Sequence, residues 1–155
     1  MGLFDWFDRK DSSTNSRITP QLPPLSFHDK MMKILDDLAV DIRRQSRNIS
    51  PETYSVMRRI DDALRRVLTE MKDKRITPEH EYDLQATATD YLPEALRLYL
   101  DIPSSQRGEN TPAEISLMHQ YETLYLSVLK LEKMIHDQAI LELKSHASFI
   151  ENRFS

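Results

Sequence analysis

Three observations predict an all-α chain. Only two glycines, Gly2 and Gly108, occur in 155 residues, too few for tight hairpins or for the clustered glycines of phosphate loops and dinucleotide fingerprints. Apolar residues recur at three- and four-residue spacings over long stretches, the period of an amphipathic helix. A third mark is the start signature Ser50-Pro51-Glu52, repeated as Thr77-Pro78-Glu79 and Thr111-Pro112-Ala113-Glu114. Each combines an N-cap hydroxyl, a proline at the first helical position and an acid in the first turn. Together these elements predict an elongated helical bundle with a kinked third helix and one long C-terminal helix.

The first predicted helix starts at Ser26, a capping residue, and carries Phe27, Met31, Leu35, Leu38 and Ile42 as one stripe. The polar run Arg43 to Asn48 ends it. The second has the most regular pattern, with Met57, Ile60, Leu64, Val67 and Met71 at spacings of three, four, three and four. That is a coiled-coil-like seam, and the basic residues after it suit the negative end of the helix dipole. The third carries Tyr82, Leu84, Ala86 and Ala88 and reaches Pro93, which removes a backbone donor and forces a kink or a restart. A short helical piece, Glu94 to Leu100, closes at Ile102-Pro103. Tyr91, Leu92, Leu96, Tyr99 and Leu100 bracket Pro93 and are too apolar to be left exposed. Residues 103–110 form a polar turn.

The last helix has no proline or glycine from Ala113 to Ser155. Leu117, Tyr121, Leu124, Val128, Leu131 and Ile135 form one stripe, and Ala139, Leu143, His146 and Ile150 continue it after a one-step slip. Unbroken, it would be about 64 Å long at 1.5 Å per residue. The shorter helices cannot cover that length, so its C-terminal part either projects for a partner or pairs with a second copy.

Residues 11–24 are polar and proline-rich and read as a linker. The chain therefore divides into an aromatic head at 1–10, a linker at 11–24 and a helical bundle domain at 25–155. In the head, Leu3, Phe4 and Phe7 share one side of a helical turn with Trp6 adjacent, which suits a peptide laid in a partner's groove. Two alternatives stand beside it: the head folds back on the body, since an exposed apolar patch is a liability, or it makes a shallow foothold on a membrane surface through residues 1–10, weakened because Asp5 and Asp8 offset Arg9 and Lys10. Myristoylation of Gly2 is rejected, since Trp6 stands where the motif wants Ser or Thr.

Composition excludes several functions. No cysteine is present, so there is no thiol nucleophile, zinc-thiolate cluster or disulfide, which fits a reducing cytoplasm. No apolar run approaches the roughly 20 residues of a membrane span, and the acidic, aromatic N-terminus is unlike a secretory signal. The five histidines lack the Glu-x-x-His units of carboxylate-bridged metal bundles. His146 reads as a core-edge histidine rather than a ligand, and no metal or cofactor is expected. No Gly-x-Ser-x-Gly elbow occurs, and the carboxylate pairs Asp36-Asp37 and Asp61-Asp62 read as solvent-facing partners of nearby arginines. No catalytic residue is expected. A metal-dependent enzyme is the remote alternative, discarded if purified protein holds no stoichiometric iron, manganese or zinc.

Net charge is −4 but uneven. Residues 26–75 carry twelve Lys/Arg against nine Asp/Glu, and residues 76–155 carry six against thirteen. The arginines at 43, 44, 47, 58, 59, 65 and 66 are interleaved with aspartates, so a nucleic-acid surface is not expected. Docking to an acidic protein surface, such as the acidic half of a second copy, fits better.

The string Tyr91-Leu92-Pro93-Glu94-Ala95-Leu96-Arg97-Leu98-Tyr99, a short polar loop, and one long helix ending Ser148-Phe149-Ile150-Glu151-Asn152-Arg153-Phe154 carry a resemblance. In layout, about residues 77–155 resemble small bacterial helical proteins named for bromo-chloro-indolyl phosphate hydrolysis and found alongside toxic-anion-resistance proteins. In those, a Tyr-Leu-Pro-x-x-Leu-x-Leu element precedes a long C-terminal helix. The resemblance implies a bacterial, cytoplasmic, helical accessory protein. That family offers no established active site to carry over, and nothing here supports a phosphatase.

The reading that results is a non-enzymatic interaction module, an adaptor or small scaffold subunit that self-associates through its long helix. Its expected partner-contact or packing residues are Leu3, Phe4, Trp6 and Phe7 in the head, with Tyr91, Leu92, Tyr99, Phe149 and Phe154 in the body.

Overall fold

The computed structural model describes residues 22–74 and 76–155, all helix and connecting turns. Helix α1 spans Phe27–Arg44, α2 Pro51–Met71, α3 Pro78–Ala86, α4 Leu92–Leu100 and α5 Pro112–Phe154. All four capping hydroxyls expected from the sequence do that work. Ser26, Ser50, Thr77 and Thr111 accept from the backbone N–H three residues on, at 3.1 to 3.2 Å. Each satisfies a donor that the first helical turn leaves unpaired.

The helices run alternately up and down. Arg65 of α2 meets Asp36 of α1 at 2.8 Å across an antiparallel pair. The α3–α4 arm then returns antiparallel to α5, with Tyr121 bonded to Leu92, Tyr91 beside Leu124 and His80 beside Met134. Helices α2 and α5 therefore run parallel. Their contacts stay in step, from Thr53 with Met118 through Arg66 with Glu132 to Glu70 with His136. Helix α2 is central, and its predicted seam of Met57, Ile60, Leu64, Val67 and Met71 is fully buried. Having neighbours on two sides, it also buries residues off that seam, including Thr53, Ala63 and Leu68.

The solvent-facing reading of Asp61 fails for that reason. Asp61 is 2% exposed, on the side of α2 turned towards α1. Arg65 brackets it with Asp36, placing Nε 3.0 Å from Asp61 and a terminal nitrogen 2.8 Å from Asp36. A single seam cannot reveal the second buried face of a central helix.

Pro93 lies in the first turn of α4 and does not interrupt the chain's helical path. A π-helical turn, Thr87–Tyr91, joins α3 to α4, and the Leu92 N–H reaches back five residues to the Thr87 carbonyl. The wider turn accommodates the ring that an α-helical turn would exclude. The local interior is Leu84, Ala86, Ala88, Leu92, Leu96 and Tyr99. Tyr91, expected inside, lies outside at 51% exposure, and Tyr82 is outside too at 65%. Each tyrosine can leave its polar tip in water, and the added residue of the π turn shifts which side chains face inward. Tyr99 is buried and its hydroxyl accepts from the Gly108 N–H at 3.1 Å. That bond ties the 103–111 loop to α4, where Gly108 takes a positive φ of 118° suited to glycine.

Candidate functional site

The buried polar group with the most chemistry is Glu114, 4% exposed in the first turn of α5. Its carboxylate accepts from the hydroxyls of Ser50 and Thr53, both at the start of α2. Two parallel helix N-termini converge there, and their N–H dipoles favour a negative charge. The Ser50 oxygen also accepts from the Thr53 N–H. This cluster locks two helix starts together, and Ser50 also lines a cleft of about 360 Å³ with Arg47, Arg107 and Glu109.

Four of the seven clustered arginines are ion-paired, Arg65 with Asp36 and Asp61 as above, while Arg43 donates to the Ala39 carbonyl and Arg59 lies over the Tyr125 ring. Arg44 pairs with Asp41, Arg58 with Asp61, and Arg66 holds Glu132 in a two-pronged contact at 2.6 and 3.3 Å. The Glu132 hydrogen bond stabilises the charged guanidinium and raises its pKa. Among the described residues, no group of three or more His, Asp or Glu could hold a metal ion. Nor is any described helix long and apolar enough to cross a membrane.

What stands out is α5, which outruns its own bundle. Helix α2 ends at Met71, level with His136, whereas α5 continues to Phe154. That is an overhang of about 27 Å at 1.5 Å per residue. From Ile140 onward every residue is exposed. Eighteen residues make five full helical turns, so the overhang's side chains can be aligned with those upstream. Leu143 lies in line with Tyr125, His146 with Val128, Phe149 with Leu131 and Ile150 with Glu132. Those upstream residues face the body: Val128 and Leu131 are buried and Glu132 binds α2. The apolar stripe therefore runs off the end of the bundle with no facing helix among the described residues.

The predicted stripe continuation is thus present but largely exposed. Ala139 is half-buried, while Leu143 is 69% and Ile150 44% exposed. His146 is exposed too, not at a core edge, because no described helix of the same chain reaches that level; its ring stacks on Phe149 at 6.2 Å. Of the expected contact residues, Phe149, Phe154 and Tyr91 are accessible, whereas Leu92 and Tyr99 serve the core. Leu3, Phe4, Trp6 and Phe7 lie outside the described residues. Sequence reasoning passed over Ile140 and Leu141, both more than half exposed on the overhang. The signal was available: α5 is apolar on more than one side past Ile135.

Three clefts line the seam between the α3–α4 arm and α5. One of about 540 Å³ sits between Tyr91, Leu98 and His119, and one of about 410 Å³ between His80, Tyr91 and Met134. A third, about 660 Å³, lies at the root of the overhang between Met71, Ile76, Ile135 and Glu142. Helix α1 also begins at this end, because it runs antiparallel to α2. No protein-family model, curated protein or solved structure matches this chain.

Proposed function

We propose that this chain is a non-enzymatic interaction subunit, an adaptor or small scaffold component, that self-associates through α5 and carries residues 1–10 as a tethered docking motif. The observation that carries this reading is the apolar stripe of the overhang, with Leu143, Phe149, Ile150 and Phe154 exposed in one short stretch and no described helix facing them. Apolar groups concentrated in this way mark interaction surfaces. The layout shared with small bacterial accessory proteins supports a bacterial, cytoplasmic setting for such a subunit.

Light scattering tests the reading on the full chain and on the W6A/F7A double variant, with thermal melts of both. A multimer in both, with equal melting temperatures, is expected: self-association then belongs to the helical body, and the head is free for a foreign partner. A monomer in both at about 100 µM, a concentration at which weak interfaces still assemble, would overturn self-association. A large fall in melting temperature for W6A/F7A would make the head part of the core and remove its docking role.

A further inference from the structure

Resting on that reading, we infer that the α5 overhang pairs antiparallel with the overhang of a second copy, in a register that sets Leu143 against Phe154 and Ala147 against Ile150. Within the overhang, Ile140, Leu143, Ala147, Ile150 and Phe154 follow one another at spacings of three, four, three and four, all exposed. That is the seam of a two-stranded coiled coil, whose knobs need a facing helix. The turn after α2 reaches only as far as Glu142, and no other described helix lies alongside the rest of the seam.

Orientation follows from the body. Upstream of Ala139 the same side of α5 is already occupied by α2 and the α3–α4 arm, which bury Val128 and Leu131. A parallel partner helix would have to run through that space. An antiparallel one enters from the free tip, and its own bundle lies beyond the end of the first.

Register follows from size and charge. With Leu143 set against Phe154 of the second copy, the small Ala147 faces the larger Ile150 in both symmetry-related layers. Flanking the seam, Lys144 then stands opposite Glu151 of the second copy, and Glu151 opposite its Lys144. In antiparallel coils such like-placed flanking positions meet across the seam, so each chain presents one charge of each sign to its complement. The second copy's Phe154 lands beside the cleft at the overhang's root, which Glu142 and Ile135 line. The two bundles would sit end to end.

The test uses the full chain, which has no native cysteine to interfere. Single variants L143C and F154C are prepared, mixed and oxidised with glutathione disulfide, which takes up the two electrons and leaves as two reduced glutathiones. In the proposed register Leu143 of one copy lies about 16 Å along the axis from Leu143 of the other, eleven residues at 1.5 Å each. A disulfide needs Cα atoms within about 7 Å. The expected result is a disulfide in the mixture between L143C and F154C, and none in L143C alone. Wild-type protein should weigh about 36 kDa, twice the 18.2 kDa chain, and L143D/I150D should weigh half that with its helical signal and melting temperature kept.

Self-linked L143C in a dimer would overturn the antiparallel register while leaving the interaction reading intact. A dimer unaffected by L143D/I150D would place the interface elsewhere and overturn the inference alone. A wild-type monomer would overturn both. If the emission of Trp6, the single tryptophan, then moved to the red in L143D/I150D, the head of the same chain would be the cover.

Discussion

Tyr121 shows how much one side chain can organise here. It is fully buried on α5, and its hydroxyl donates to the Leu92 carbonyl at 3.0 Å, fastening α5 to the residue before Pro93. Burial pushes its pKa well above the ordinary tyrosine value, because the phenolate would be formed away from water. The native state therefore holds the proton where the unfolded chain releases it. Its contribution to stability is complete below about pH 10, the unfolded tyrosine value, and is lost as pH rises towards the folded one. Tyr121→Phe should cost about 1 kcal/mol at pH 7, the typical loss of one hydrogen bond. The difference between the two proteins should shrink above pH 10 and then reverse. Urea titrations from pH 7 to 11 would check this, and a constant difference across that range would contradict a buried phenol. Glu114 organises its surroundings in a similar way: a single carboxylate satisfies Ser50 and Thr53 and fixes the parallel register of α2 and α5.

At the scale of the element, the proline at 93 separates what was readable from what was not. The four capped starts, the α2 seam and the length of α5 were all legible, because capping and helical periodicity are local signals. A π turn is not local in that sense: it is settled by how the chain distributes Pro93's missing donor among carbonyls while Leu84, Ala88 and Leu92 keep their places in the core. Tyr91 changed sides and Asp61 turned inward for reasons of packing that no single helix encodes. The candidate surface was legible in part: the stripe on α5 and the length that outruns the shorter helices could be read, whereas the exposure of Ile140 and Leu141, off the predicted stripe, was not read. The π turn has a measurable consequence. An interior proline ordinarily costs about 3 kcal/mol, and Pro93→Ala would recover that amount if α3 and α4 were one strained α-helix. With the wider turn already accommodating the ring, Pro93→Ala should change stability by less than about 1 kcal/mol. Denaturant unfolding with an unchanged slope would check it, and a gain near the full proline penalty would mean that the turn stores the strain.

For the whole molecule, the question is what selects one pairing of overhangs over another. The chain's acidic half contains α5, so two copies brought together carry net like charge, and orientation has to come from where individual charges fall. In the antiparallel register Lys144 and Glu151 form two symmetry-related pairs, and His146 stands across from Arg153 of the other copy, able to accept from it while neutral. Exposed pairs are worth only about 0.2 to 1 kcal/mol each, so they decide orientation more than affinity. That makes them suited to a test by exchange. K144E sets a new carboxylate against Glu151 twice in its own dimer, and E151K sets a new ammonium against Lys144 twice. Each alone should therefore dimerise roughly 5- to 30-fold more weakly, about one to two kcal/mol. Mixed, the two variants present opposite charges at both positions and should form a heterodimer of wild-type strength. The same should hold for the K144E/E151K double variant with itself. Because these charges are exposed, the discrimination should fade as the ionic strength approaches about 1 M, where screening acts over roughly 3 Å. Analytical ultracentrifugation of the single variants, their mixture and the double variant reads all four arms. In a parallel coil Lys144 and Glu151 never meet, so recovery in the mixture but not in the double variant would speak for general charge attraction and against this register. Equal affinity in all four would remove both residues from the interface.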